Sequence, residues 1–193
     1  MCENQFTATT IADTIFTLSN NKKIALCGYR NLESLPITFS EFVLSVCGEE
    51  SIIDFWDATT ICQLETKKDT LLVNELYILP IDKKLGPKET IWTTDKIYFK
   101  SNKLIRESKV NRQIRKYNSN EILEVLKKYE SEIVKTDFDK IEFASKLFVA
   151  TISGSEKARN YFNSFPSKFK MLDGGYKEEY DELVAMLNLW DKE

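Results

Sequence analysis

At 193 residues, with 30 acidic against 27 basic side chains and 42% apolar residues, the chain has the size and composition of one ordinary globular domain. A chain of this length removes roughly 70% of its unfolded surface from water, so it needs no metal or disulfide staple to hold a core. It contains no histidine, which excludes Ser-His-Asp and Cys-His catalytic sites and takes the usual imidazole ligand away from zinc, iron and copper sets.

From Thr10 to about Val110 the apolar residues favour a period of two and β-branched and aromatic types dominate, so this half is expected to form a sheet. Ile15 to Leu18 and Lys23 to Tyr29 flank Ser19-Asn20-Asn21-Lys22, a polar turn that tolerates left-handed backbone and predicts a hairpin. After a loop through Pro36, Phe42, Leu44 and Val46 alternate with Glu41, Val43 and Ser45 until Gly48-Glu49-Glu50 ends the strand. Ser51 to Leu64, with Ile52, Ile53, Phe55 and Trp56, fits either a strand or a short helix. Leu71 to Leu79 is different. Leu72, Leu76 and Ile78 occupy one face and Leu71, Val73, Tyr77 and Leu79 the other, which predicts a central strand closed by Pro80. Thr90 to Lys100 and Lys103 to Val110 read as a second hairpin around Ser101-Asn102, its lysines placing it at a sheet edge.

Past Tyr117 the period becomes helical. Asn118 with Glu121 has the form of a capping box ahead of Ile122, Val125, Leu126, Tyr129 and Ile133. Thr136 or Asp137 is placed to cap a second helix with the stripe Phe138, Ile141, Phe143, Leu147, Phe148 and Ile152, ended by Gly154. Ser155 opens a third, shorter helix that stops near Phe165-Pro166, and a fourth starts between Asp173 and Gly175 and carries Tyr176, Tyr180, Leu183, Val184, Leu187 and Trp190. Strands followed by helices define the α+β class. The expectation is one domain over residues 1–193, an antiparallel sheet at about 10–115 with about four helices at 118–192 packed on it.

Three charge groups bear on function. The first is basic: between Lys96 and Lys116 eight cations, among them Lys100, Lys103, Arg106, Lys109, Arg112 and Arg115, face only Glu107, for +7, with Tyr98 and Phe99 among them and Tyr117 next to the last. Such a stripe can follow a phosphate backbone, although the whole chain is acidic, with a pI near 5.3. The second is acidic: Glu49, Glu50, Asp54 and Asp57 crowd around Phe55 and Trp56, where carboxylates rimming an aromatic suit a basic partner. The third is the segment Asp173 to Glu193, where seven acids and two lysines give −5. Each group also has a plain reading as solvated surface. No phosphate-binding glycine loop is present, and the carboxylate cluster lacks the order of a calcium loop, so no cofactor or metal is expected.

Cys2, Cys27, Cys47 and Cys62 form no CxxC pair and are expected as free thiols of a reducing compartment, with two disulfides of an exported protein as the alternative. No apolar run approaches the length of a membrane helix, and no export signal is read, so a cytoplasmic location is expected; Met1-Cys2 also suits a lipid anchor on Cys2.

Phe39-Ser40-Glu41-Phe42-Val43-Leu44 and Ser51-Ile52-Ile53-Asp54-Phe55-Trp56-Asp57-Ala58 resemble segments of small uncharacterised Bacteroidetes proteins, some of them lipid-anchored. The resemblance implies a bacterial origin and favours the anchor on Cys2; it implies no activity. The functional expectation is a non-catalytic protein-interaction protein, of the immunity type that neutralises a toxin, using Glu49, Glu50, Asp54, Trp56 and Asp57 as its contact. The alternatives are nucleic-acid binding through the hairpin at 96–116 and a carboxylate-dependent hydrolase of the cell envelope using Asp54 and Asp57.

Overall fold

The computed structural model describes residues 12–49, 52–131, 136–169 and 174–192. Strands β1 (Thr14–Thr17), β2 (Lys23–Asn31), β3 (Thr38–Val46), β4 (Ile52–Trp56), β5 (Ile61–Lys67), β6 (Thr70–Leu79), β7 (Lys88–Lys100) and β8 (Lys103–Val110) precede helices α1 (Ser119–Glu130), α2 (Asp137–Ile152), α3 (Glu156–Phe169) and α4 (Gly175–Lys192). The fold is α+β, as the change of period predicts. The eight strands form one antiparallel sheet in the order β1-β2-β3-β5-β6-β7-β8, with β4 also on β3. The chain divides into two compact units, Met1–Tyr77 with Ile91–Asn111, and Ile78–Thr90 with Arg112–Glu193.

In the first unit both expected hairpins are present. Thr17 pairs with Lys23, and Asn21 supplies the left-handed residue at φ 64°. At the second, Ser101 and Asn102 both take positive φ, 50° and 62°, between the paired Lys100 and Lys103. Two left-handed central residues make a turn whose twist matches that of the strands. β8 ends the strand order and β6 lies inside it, as the lysines of one and the two apolar faces of the other require.

Of the segment Ser51 to Leu64, the described part from Ile52 on resolves into strands rather than a helix, and into two of them. β4 pairs Trp56, Phe55 and Asp54 with Phe42, Val43 and Leu44, while β5 pairs Gln63 and Cys62 with Thr38 and Phe39 further along the same strand. Both follow β3 on the edge opposite β2. β4 and β5 are therefore one antiparallel path interrupted by a protrusion at residues 57–60. Asp57 holds that protrusion together: its Oδ1 accepts from the Thr59 and Thr60 amides at 2.9 and 3.0 Å and from their hydroxyls at 2.7 and 3.0 Å. The core of this unit joins Leu18, Ile24, Leu26, Phe42, Leu44, Trp56, Leu71, Val73 and Ile97, with the Phe42 and Trp56 rings stacked at 4.8 Å. The alternation expected along β3 is overridden by packing, since every residue from Phe42 to Val46 is buried.

In the second unit the expected caps are in place. Asn118 and Glu121 bond reciprocally ahead of α1, and Thr136 does the same with Asp139 ahead of α2. Gly154, at φ 98°, ends α2: its N–H bonds to the Thr151 carbonyl and that of Ser155 to Ala150, the Schellman pattern.

The expected stop near Phe165-Pro166 is corrected, because α3 continues through Pro166 to Phe169. Proline has no N–H to give the carbonyl four residues back, that of Phe162. The Tyr180 hydroxyl of α4 supplies the missing donor instead, at 2.6 Å to the Phe162 oxygen, and the two rings stack at 5.1 Å. Burial pushes the Tyr180 phenol up to about 12, so it stays a donor throughout the neutral range. Tyr180→Phe should cost about 1–2 kcal/mol by leaving that buried carbonyl without a donor. In urea titrations read at Trp190, adding Pro166→Ala to Tyr180→Phe should return part of the loss, because an alanine N–H reaches the same oxygen; two strictly additive effects would refute this account.

Candidate functional site

The acidic cluster and the basic stripe, read from sequence as separate surfaces, meet at one arginine. Arg106 projects from β8 and pairs with Asp54 of β4. Its Nε donates to Asp95 of β7 at 2.8 Å, and its guanidinium lies 5.1 Å from the Trp56 ring centre. The Ser108 hydroxyl also bonds to Asp95. Asp95 is 7% exposed, so its charge is compensated in place by Arg106 and Ser108. Strands β4 and β8, well separated in the strand order, are thereby tied together, which the curl of the sheet within this unit makes possible.

The remaining members of the two groups divide as follows. Trp56 is buried at 8% exposure; the exposed aromatic beside the carboxylates is Phe55, at 52%. The Asp57 carboxyl is spent on its own turn, and the Thr59 hydroxyl bond, foremost, holds it below the usual carboxylate range. Glu49 is exposed, and Glu50 lies outside the described residues, as does Cys2. In the basic group, Arg112 donates to the Trp190 carbonyl in the last turn of α4 and stacks on the Trp190 ring at 4.1 Å. A cation there satisfies a carbonyl the helix cannot. Arg115 pairs with Glu121, the second half of the α1 capping box. Lys100, Lys103 and Lys109 remain exposed, as does Lys96, which sits opposite Glu107. The stripe is thus not one surface. Lys96, Lys100, Lys103 and Lys109 stay on the β7–β8 hairpin, Lys116 lies 5.8 Å from the Trp190 ring centre, and the arginines join the framework.

Among the described residues no thiol stands exposed as a nucleophile. Cys27 and Cys62 are buried thiols outside any disulfide, and burial, then Glu75 and Asp95, drive the Cys62 thiol far above its ordinary value, against the thiolate. Cys47 is disulfide-bonded, which corrects the expectation of four free thiols for that residue. Among the described residues, no three or more Cys, Asp or Glu side chains are grouped to hold a metal, and no helix is long and apolar enough to cross a membrane.

The second unit carries a feature that sequence reading missed. Ile78, Leu79, Pro80 and Pro87 face Phe138, Ile141, Glu142 and Ser145 of α2 and Glu179 of α4 across a cavity of about 270 Å³. Two residues assigned to the core by periodicity stand open at it, Ile78 at 68% and Phe138 at 63% exposure. Both are corrections. Ile78 is near the end of β6, past Leu76, the last residue paired with β5, and Phe138 is in the first turn of α2, off the buried side that Ile141, Ala144 and Phe148 form. On α4, Glu178, Glu179, Asp181 and Glu182 are all exposed, with Tyr180, Leu183, Met186 and Leu187 on the buried side. Comparison of the chain with protein-family models, curated proteins and solved structures finds no match.

Proposed function

We propose that the chain is a non-catalytic protein-interaction protein of the immunity type, which covers a basic surface of its partner with acidic side chains. The observation that carries this reading is the contrast in how charge is used. Asp54, Asp95, Asp57, Arg106, Arg112 and Arg115 are engaged in holding the fold. Glu178 and Glu179 stand exposed on α4, next to an apolar cavity that Glu142 and Glu179 help to line. Segregated acidic charge of this kind speeds encounter with a basic partner and selects it. Catalysis by the expected carboxylates is disfavoured by the same contrast, since Asp54 already neutralises a guanidinium and Asp57 closes a turn.

The test is purification from the native host with the partner attached, followed by association kinetics with the Glu178→Lys/Glu179→Lys variant. We expect association at low salt to slow about tenfold and to lose part of its salt dependence. Unchanged kinetics would remove the acidic helix from the contact. Nucleic acid in the complex would transfer the assignment to Lys96, Lys100, Lys103 and Lys109, which lie exposed on the β7–β8 hairpin near Tyr98.

A further inference from the structure

We infer that the cavity between α2, α4 and the segment from Ile78 to Pro87 is the docking site for a cationic amphipathic segment of the partner, one that inserts a large apolar side chain and brings a lysine or arginine to Glu179. This rests on the protein-binding reading and gives it a place and a chemistry.

Size is the first argument. A volume of about 270 Å³ falls just below the roughly 300–1,000 Å³ of sites that enclose drug-sized ligands or cofactors. It suits one or two protein side chains. The walls are the second: Ile78, Leu79, Pro80, Pro87, Phe138 and Ile141 are apolar, and the Ser145 hydroxyl already donates to the Ile141 carbonyl at 3.0 Å. Ile78 and Phe138 keep more than half of their surface in water, an arrangement whose cost a partner's side chain would relieve.

Charge names the occupant. The lining includes two carboxylates and no cation. Glu142 already holds Lys146 at 2.6 Å, whereas Glu179 makes no ion pair among the described residues. Glu178 and Glu182 stand exposed beside it on the same helix. An acidic segment would meet repulsion here. An uncharged apolar ligand would fill the floor and leave the acidic rim unused. An apolar anchor flanked by cations satisfies both parts, and apolar anchors at helical spacing are how such grooves are filled by helices.

The probe is a short fluorescein-labelled synthetic peptide with leucines at helical spacing and lysines between them, titrated into the full chain by anisotropy. Control peptides replace the lysines by glutamates or the leucines by serines. The cationic amphipathic peptide should bind and both controls should fail. Phe138→Ala should weaken binding about tenfold, the equivalent of about 1.4 kcal/mol, and Glu179→Gln about threefold at low salt. Both positions are exposed, so folding is checked by circular dichroism; Ile78→Ser is the second groove variant. Equal affinity in Phe138→Ala and Ile78→Ser, binding of the serine control, or displacement of the peptide by laurate at lower concentration would each overturn the docking site.

The two levels fail separately. A native partner that stays bound to Phe138→Ala and Ile78→Ser leaves the protein-binding reading intact and removes the groove. If no protein co-purifies, the function falls while the peptide titration still decides what the groove accepts.

Discussion

Replacing Gly28 by alanine is expected to cost the sheet-bearing unit about 3 kcal/mol or more, at the upper end of what an overpacked core suffers. Gly28 lies on β2 directly opposite Phe42 of β3, where the register shifts between Gly28 and Tyr29. A Cβ built there would stand 2.4 Å from the Glu41 carbonyl oxygen and from the Cα and Cβ of Phe42. None of those atoms can rotate aside, so relief requires the two strands to part. Against a total of about 5–15 kcal/mol for a domain, such a loss is large. With a urea slope of about 1–3 kcal/mol/M, the midpoint should fall by about 1 M or more. Gly48→Ala is the control: nothing lies within 4 Å of its Cβ position, and only its φ of 87° opposes the change. Equal midpoints for the two variants would mean that β2 and β3 do not approach as closely as described.

Arg106→Ala should cost about 3 kcal/mol, the low end of the penalty for stripping one partner from a buried ion pair. The low end applies because the Arg106 side chain is itself 35% exposed. What remains is the Asp95 carboxylate with the Ser108 hydroxyl as its bonded neighbour, in a strand position 7% open to water. The Trp56 ring also loses the cation above it. Adding Asp95→Asn should restore a measurable share of the loss, because the uncompensated charge disappears with it. If the double variant is as unstable as the sum of the two single changes, the energy lies in packing against Trp56 instead. Asp54→Asn should cost less than either, its side chain being 41% exposed.

The elements that could be read from sequence are those whose cause is local. Ser101-Asn102 and Asn21 announce their turns, Asn118 with Glu121 and Thr136 with Asp139 cap helices within four residues, and Gly154 stops one. Each of these signals acts within a single turn of chain. What sequence could not show depends on long-range meetings. Arg106 meets Asp54 across 52 positions and Arg112 meets the Trp190 carbonyl across 78, so a stripe of evenly spaced cations separates into framework arginines and exposed lysines only once the sheet curls and α4 is laid down. Pro166 reads as a stop for the same reason, since its rescue by Tyr180 comes from another helix. Asp57 was visible as one of a cluster of carboxylates, yet its neighbours Thr59 and Thr60, not the other acids, decide its role. The groove had no signal at all: Ile78 and Phe138 fit their apolar stripes, and periodicity says where a side chain can be buried but not whether anything covers it.

The placement of the thiols gives each half of the chain its own reporter. Cys27 and Cys62 are 1% and 0% exposed and both lie in the sheet-bearing unit. The unit formed by residues 78–90 and 112–193 contains no cysteine but holds Trp190. A thiol-specific reagent therefore stays idle at these two sulfurs while the sheet is closed and modifies them at the frequency with which it opens. Fluorescence selected for Trp190, with Trp56 and Trp92 replaced by phenylalanine, follows the helices over the same minutes. Matching rates would show that the two halves melt as one, and a faster loss from either would rank their lifetimes directly, with no label added to the chain beforehand.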